Sequence, residues 1–224
     1  MNTPVVELEW VKTPRQARSQ QTLERLLQAA EDLIQEKGFE GATISEIARR
    51  AKSSVGAFYA RFSDKDGLLR TLDEQFFRQA VATFDVALDA ARWDGVSIAD
   101  CVYELVRFAV RVFEERRGLL LAVAERIRFD SSYLERRTRL VEEIVTRLDG
   151  LLVRRGEELT HPDPRVGVDF VVRLILGALE QRAVYGSIPG VSPILSNGRF
   201  AAELTRAALG YLGVPIEGVP QRWN

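Results

Sequence analysis

Between Thr43 and Lys65 the chain sets short hydroxyl side chains, small side chains and cations in a pattern suited to gripping a polyanion. Thr43, Ser53, Ser54 and Tyr59 each carry a hydroxyl, and Arg49, Arg50, Lys52 and Arg61 are cations with no Asp or Glu among residues 49–61. Lys12, Arg15 and Arg18 form a second basic cluster upstream. Two cationic clusters flanking a run of small residues (Ser54, Val55, Gly56, Ala57) make the footprint expected of phosphate contacts around a surface that approaches a groove. A charge run alone is more often a solvated helix face, so the small residues between the clusters decide the reading.

Other chemistry has little to draw on. The one histidine, His161, lies between a helix end and two prolines, and the one cysteine, Cys101, falls near an apolar helical stripe. Neither has a neighbour that would complete a nucleophile–base pair, and no glycine-rich phosphate loop follows a strand. One His and one Cys do not supply a soft-ligand metal site. Glu142-Glu143 and Glu157-Glu158 lie on polar helix faces. The expectation is a protein without catalysis, metal or cofactor.

The elements that must hold these residues follow from capping and periodicity. Thr43 and Glu46 have the spacing of a capping box, and Ile44, Ile47, Ala48 and Ala51 give the helix they open one apolar face. Lys52-Ser53 interrupts that period, and Ser53 or Ser54 then caps a second short helix ending near Arg61. Phe58 and Phe62, four apart, anchor it to a core. Ser63 with Asp66 repeats the capping signature and opens the next helix. A helix, a tight turn and a short second helix make the helix-turn-helix plan, whose second helix can enter the major groove.

Thr43, Ile47-Ala48, Ala51, Ser54-x-Gly56, Phe58-Tyr59, Phe62, Lys65 and Leu68 resemble the DNA-binding signature of the TetR (tetracycline-repressor-like) family of bacterial transcription regulators. With the preceding helix, the resemblance covers about the first third of the chain. Lys52-Ser53 stands where Gly-Val is usual, and Arg61 where His is frequent. The resemblance implies a DNA-binding regulator with a C-terminal dimerisation and effector-binding region.

Along the rest of the chain the period stays helical. Residues 1–14 contain two prolines and no sustained period, and read as a flexible arm. A first helix over about 15–37 carries Leu23, Leu26, Leu27, Ala30, Leu33 and Ile34 on one face and stops at Gly38. Helices follow over about 64–92, 98–113, 116–128, 131–155, 166–185 and 199–212. No segment alternates with period two, so the expected fold is all-α. It comprises an N-terminal three-helix domain with the helix-turn-helix (15–63), a C-terminal helical bundle for effector binding and dimerisation (64–213), and a tail (214–224).

Composition sets outer bounds. The 224 residues carry 31 Lys and Arg against 32 Asp and Glu, so affinity for DNA must come from local placement of charge. A single cysteine excludes an internal disulfide and fits a reducing cytosol. No run approaches the roughly 18 apolar residues that span a membrane, and the N-terminus lacks a basic-then-apolar leader. A cytoplasmic location is expected.

Residues 166–185 are apolar on more than one face and residues 199–212 carry a stripe rich in small residues, which suggests a homodimer through these two helices. Helical bundles hold small molecules between their helices, and Trp93, Tyr103, Arg107, Phe129, Tyr133 and Gln181 are candidates to face such an effector. Arg18, Thr43, Ser53, Ser54, Tyr59, Arg61 and Lys65 are the expected phosphate contacts, with Val55, Gly56 and Ala57 against base edges. The resulting expectation is a repressor that binds palindromic operator DNA and is released by a small molecule. The alternative is a helical ligand-binding or adaptor protein whose helix-turn-helix does not bind DNA.

Overall fold

The computed structural model describes residues 17–152, 155, 158–185 and 195–215. Among them are nine α-helices and no strand: α1 (Ala17–Gly41), α2 (Ile44–Arg50), α3 (Val55–Tyr59), α4 (Lys65–Ala87), α5 (Ile98–Glu115), α6 (Arg117–Arg126), α7 (Ser131–Leu152), α8 (Pro164–Tyr185) and α9 (Asn197–Leu212). The all-α architecture is as the periodicity predicts. The expected stop at Gly38 is a kink instead. Gly38 takes φ +74°, which only a glycine adopts cheaply, and one further helical turn follows before α2.

The chain forms two compact units. The first takes residues up to Arg78 together with Arg116–Arg136; the second takes Gln79–Glu115 and Arg137 onward.

In the first unit, α1 supplies the wall on which everything else rests. Leu26, Leu33 and Ile34 are buried with Ile47 of α2, Phe58 of α3, Phe62, and Leu68 and Leu69 of α4. Helix α6 packs on α1 from another side, adding Leu119 and Ala122. That approach is close enough to require a glycine. A Cβ on Gly118 would lie 2.6 Å from the Ile34 carbonyl oxygen. The Gly118 N–H donates to Gln35 Oε1 at 2.6 Å, satisfying one of the orphan donors at the start of α6.

Helix α4 is capped by Asp64, whose Oδ1 accepts from the Gly67 N–H at 2.6 Å. Ser63 donates its hydroxyl to Asp64 rather than capping the helix itself. The helix stops at Ala87, before the expected end near Arg92. The Trp93 indole N–H donates to the Ala87 carbonyl at 2.7 Å, and Asp89 caps a 3-10 turn over Ala90–Trp93.

The second unit buries Ile98, Cys101, Val102 and Val106 of α5 against Val168, Val171 and Leu179 of α8 and Ala201, Ala208 and Leu209 of α9. Ser97, three residues before Asp100 in the spacing of a capping box, caps α5 by accepting from the Asp100 N–H at 3.1 Å. Gly213 ends α9 in the left-handed region, φ +70°. Val166, Phe170 and Leu174 of α8 and Tyr211 of α9 leave large apolar surfaces exposed. No helix among the described residues is long and apolar enough to cross a membrane.

Candidate nucleic-acid interface

The interface is built on α2, the turn after it, and α3. Thr43 caps α2. Its Oγ1 accepts from the Glu46 N–H at 3.2 Å and donates to Glu46 Oε2 at 3.1 Å. Lys37 Nζ reaches Glu46 Oε1 at 2.6 Å. The hydrogen bond from Lys37, then that from Thr43, holds the Glu46 carboxyl below its ordinary value.

Within the turn, Lys52 takes φ +50°, a left-handed conformation in which a side chain is strained. This is the position where the resembled family usually has glycine. The Ser53 N–H closes the turn onto the Ala48 carbonyl at 2.9 Å. Of the two serines left open by the sequence, Ser54 is the cap of α3, accepting from the Ala57 N–H at 3.0 Å. Ser53 is half-buried.

Helix α3 is pinned from behind by Phe58 and Phe62, both fully buried with ring centroids 5.1 Å apart. The opposite face is open. Val55 is 40% exposed and Tyr59 48% exposed, Ser54 and Gly56 are exposed, and Ala57 is half-buried. A Cβ at Gly56 would meet only Ser54 Oγ, at 3.8 Å. Nothing among the described residues screens the α3 backbone there.

The cations separate into two groups. Arg50 is held bidentate by Glu36 at 2.6 and 2.8 Å. Arg61 turns inward, Nη1 to the Ala57 carbonyl at 2.8 Å and Nη2 to the Ser19 carbonyl at 3.0 Å. Lys65 donates to the Phe39 carbonyl at 2.8 Å and lies 4.4 Å over the Phe39 ring, so it caps the end of α1. Arg49 and Lys52, in contrast, are exposed with no acid at ion-pair distance among the described residues. These two belonged to the basic cluster of the expected footprint but not to the residues named as phosphate contacts. The sequence offers their exposure only indirectly, since it does not show which of the neighbouring cations are neutralised from α1. Arg18 lies in the first turn of α1 and its side chain lies outside the described residues, as do Lys12 and Arg15.

The residues expected to face an effector divide between the two units. Trp93 and Tyr103 are buried in the core of the second unit. Tyr133 is buried in the core of the first, where burial pushes its phenol pKa up and its hydroxyl has no hydrogen-bond partner among the described residues. Phe129 is 82% exposed. Arg107 and Gln181 are also exposed, Arg107 pairing with Glu104 at 3.0 Å. Cys101 is fully buried, and desolvation pushes its thiol up to about 12. That keeps it protonated and unreactive at neutral pH. No group of three His, Cys, Asp or Glu is arranged to hold a metal among the described residues.

Comparison with known proteins falls on the same elements. A sequence profile described as "Bacterial regulatory proteins, tetR family" matches residues 26–72, from within α1 to within α4. The A-factor receptor protein of Streptomyces griseus is 42% identical over 62 residues, covering 27% of this chain and 22% of that protein. The match thus spans about a fifth of that relative's length. An HTH-type transcriptional regulator of Bacillus subtilis, YdeS, is 30% identical over 161 residues, covering 69% of this chain and 76% of the relative. Among solved structures, NalD, the secondary repressor of the MexAB-OprM multidrug efflux pump in Pseudomonas aeruginosa, superposes with a TM-score of 0.62. Its identity is 24%, with 87% of this chain and 98% of that chain covered. At that identity the likeness speaks for the fold.

Proposed function

Because the chain belongs to the TetR family of bacterial regulatory proteins and is, like its relatives, a helix-turn-helix transcription regulator, we propose that it acts in the bacterial cytoplasm as a dimeric repressor. In this reading it occupies a palindromic operator and lets go when a small molecule binds. The observation that carries the reading is the α3 surface. Buried Phe58 and Phe62 hold one side of the helix while Val55, Gly56 and Tyr59 stand open on the other. A solvated helix has no need of so bare a face. A helix that enters a groove does.

Each contact has its own part. The Thr43, Ser54 and Tyr59 hydroxyls, with Arg49 and Lys52, hold phosphates and set the register, while Val55, Gly56 and Ala57 meet base edges. Ser53 is half-buried and adds its backbone to the turn. Arg61 and Lys65 act one step back, fixing α3 and the start of α4 to α1.

Dimerisation through α8 and α9 is supported by the exposed stripe of Val166, Phe170 and Leu174 with Tyr211. A dimer sets two recognition helices about one DNA turn apart, roughly 34 Å. The effector seat belongs to the helices of the second unit, where Trp93 and Tyr103 are the aromatic candidates. Repression as the direction of control is supported by a sequence relative from Brucella suis, the HTH-type transcriptional repressor BepR, 24% identical over 174 residues. An effector that releases DNA must bind the DNA-free conformation more tightly, and operator must weaken effector binding by the same factor.

The test is a gel-shift titration of the full-length protein with the DNA upstream of its own gene and with a scrambled duplex of equal length. Preferential retardation of the upstream DNA supports the reading. Equal failure on both favours an adaptor that has lost DNA binding.

A further inference from the structure

We propose that α3 reads its half-site through thymine methyl groups, with Val55 and Ala57 as the specificity-determining side chains; this rests on the DNA-binding reading above. Sequence discrimination in the major groove usually comes from bidentate side chains, Arg or Lys on guanine and Asn or Gln on adenine. Residues 53–60 contain none of these types. Arg61, the first cation after α3, is turned away onto Ser19 and Ala57, and the next, Lys65, onto the Phe39 carbonyl. The hydroxyls of Ser54 and Tyr59 remain; the Ser54 oxygen accepts from the Ala57 N–H, and both O–H groups are assigned to phosphates in the reading above. Arg49 and Lys52 precede α3, on the side of the motif that crosses the phosphate backbone.

What α3 does present is apolar. Val55 is exposed at 40%, Ala57 is half-buried, and Gly56 between them adds no side chain to hold the helix away. The only apolar group on a major-groove base edge is the C5 methyl of thymine. Two small apolar side chains flanking a bare backbone are the complement of that group, and they offer guanine O6 and N7 nothing.

The experiment begins with duplexes selected from a random library by the full-length protein. The best duplex is then remade with deoxyuridine for thymidine at one position at a time, which removes only the methyl. Affinity should fall about fourfold for each contacted methyl, the factor corresponding to losing one buried methyl-sized group. Val55→Ala should bind the thymidine duplex more weakly yet discriminate less between thymidine and deoxyuridine. Because Val55 is exposed, its thermal unfolding should match the wild type. Ala57→Gly is the second variant, with its melting curve recorded alongside.

Equal affinity for the thymidine and deoxyuridine duplexes overturns the proposal and leaves DNA binding standing. So does undiminished discrimination by both variants. If the library yields no enriched sequence and no bound DNA, the DNA-binding reading itself fails and the proposal with it.

Discussion

Arg61 reaches back to Ser19, its Nη2 donating to the Ser19 carbonyl at 3.0 Å and to the Ser19 hydroxyl at 2.9 Å. Its other arm holds the Ala57 carbonyl, so one guanidinium ties the C-terminal end of α3 to the first turn of α1. Desolvation lowers its pKa. A side chain so committed fixes the orientation of α3 on α1.

Arg61→Ala should therefore act on stability. Loss of charge-assisted hydrogen bonds to Ser19 and Ala57 should cost about 2 kcal/mol. Chemical denaturation measures it. The slope of log affinity against log salt should stay at the wild-type value, because no phosphate contact is removed. A slope reduced by about one unit with unchanged stability would place Arg61 on the DNA instead.

Lys52→Gly should do two things at once. Relieving a left-handed lysine at φ +50° should stabilise the protein by about 1 kcal/mol. Removing an exposed cation should weaken binding to operator and random DNA alike and lower the salt slope by about one unit. Thermal melting and a salt titration separate the two effects.

Arg126 bridges Asp66 Oδ1 and Glu40 Oε1, each at 2.8 Å. The hydrogen bond from Arg126, then the charge of Lys65, holds the Glu40 carboxyl below its ordinary 4.5. A carboxyl with a depressed folded pKa contributes stability that is complete above its unfolded value and lost as pH falls through the folded one. Arg126→Gln should thus lower Tm at pH 7, with the gap to wild type closing between about pH 5 and pH 3. A gap independent of pH would contradict this assignment.

Phe170→Glu should break the proposed dimer without unfolding the subunit, since Phe170 is 47% exposed on α8. Sedimentation should report a monomer, and far-UV circular dichroism a helix content equal to wild type. Operator affinity should drop sharply, because one recognition helix then reads one half-site. A dimer that survives would move the interface off this stripe.

Much of this was legible in the sequence, because capping and periodicity are local. The helix-turn-helix, the Ser97 and Thr43 caps and the apolar faces of α1 and α5 follow from residues a few positions apart. Adjacent candidates were harder. Ser54 caps α3 where Ser53 or Ser54 was left open, and Asp64 caps α4 where Ser63 was expected, since the choice depends on backbone geometry at one residue. Pairing of cations was not legible at all. Arg50, Arg61 and Lys65 are engaged by Glu36, Ser19 and Phe39 of α1, 14 to 42 residues away in the chain. For the same reason nothing local to Gly118 signals that it lets α6 settle onto α1. An aromatic such as Tyr133 shows its type in the sequence, but not the core in which it is buried.

The most direct measurement is fluorescence anisotropy of a labelled operator duplex titrated with the wild-type protein and with Gly56→Glu. A side chain at Gly56 meets nothing of the protein closer than Ser54 Oγ at 3.8 Å, so fold and melting temperature should be retained. The new carboxylate would face the phosphates of a groove, and binding should be abolished. A folded Gly56→Glu variant that binds the operator as tightly as wild type would contradict the claim that the open face of α3 meets DNA.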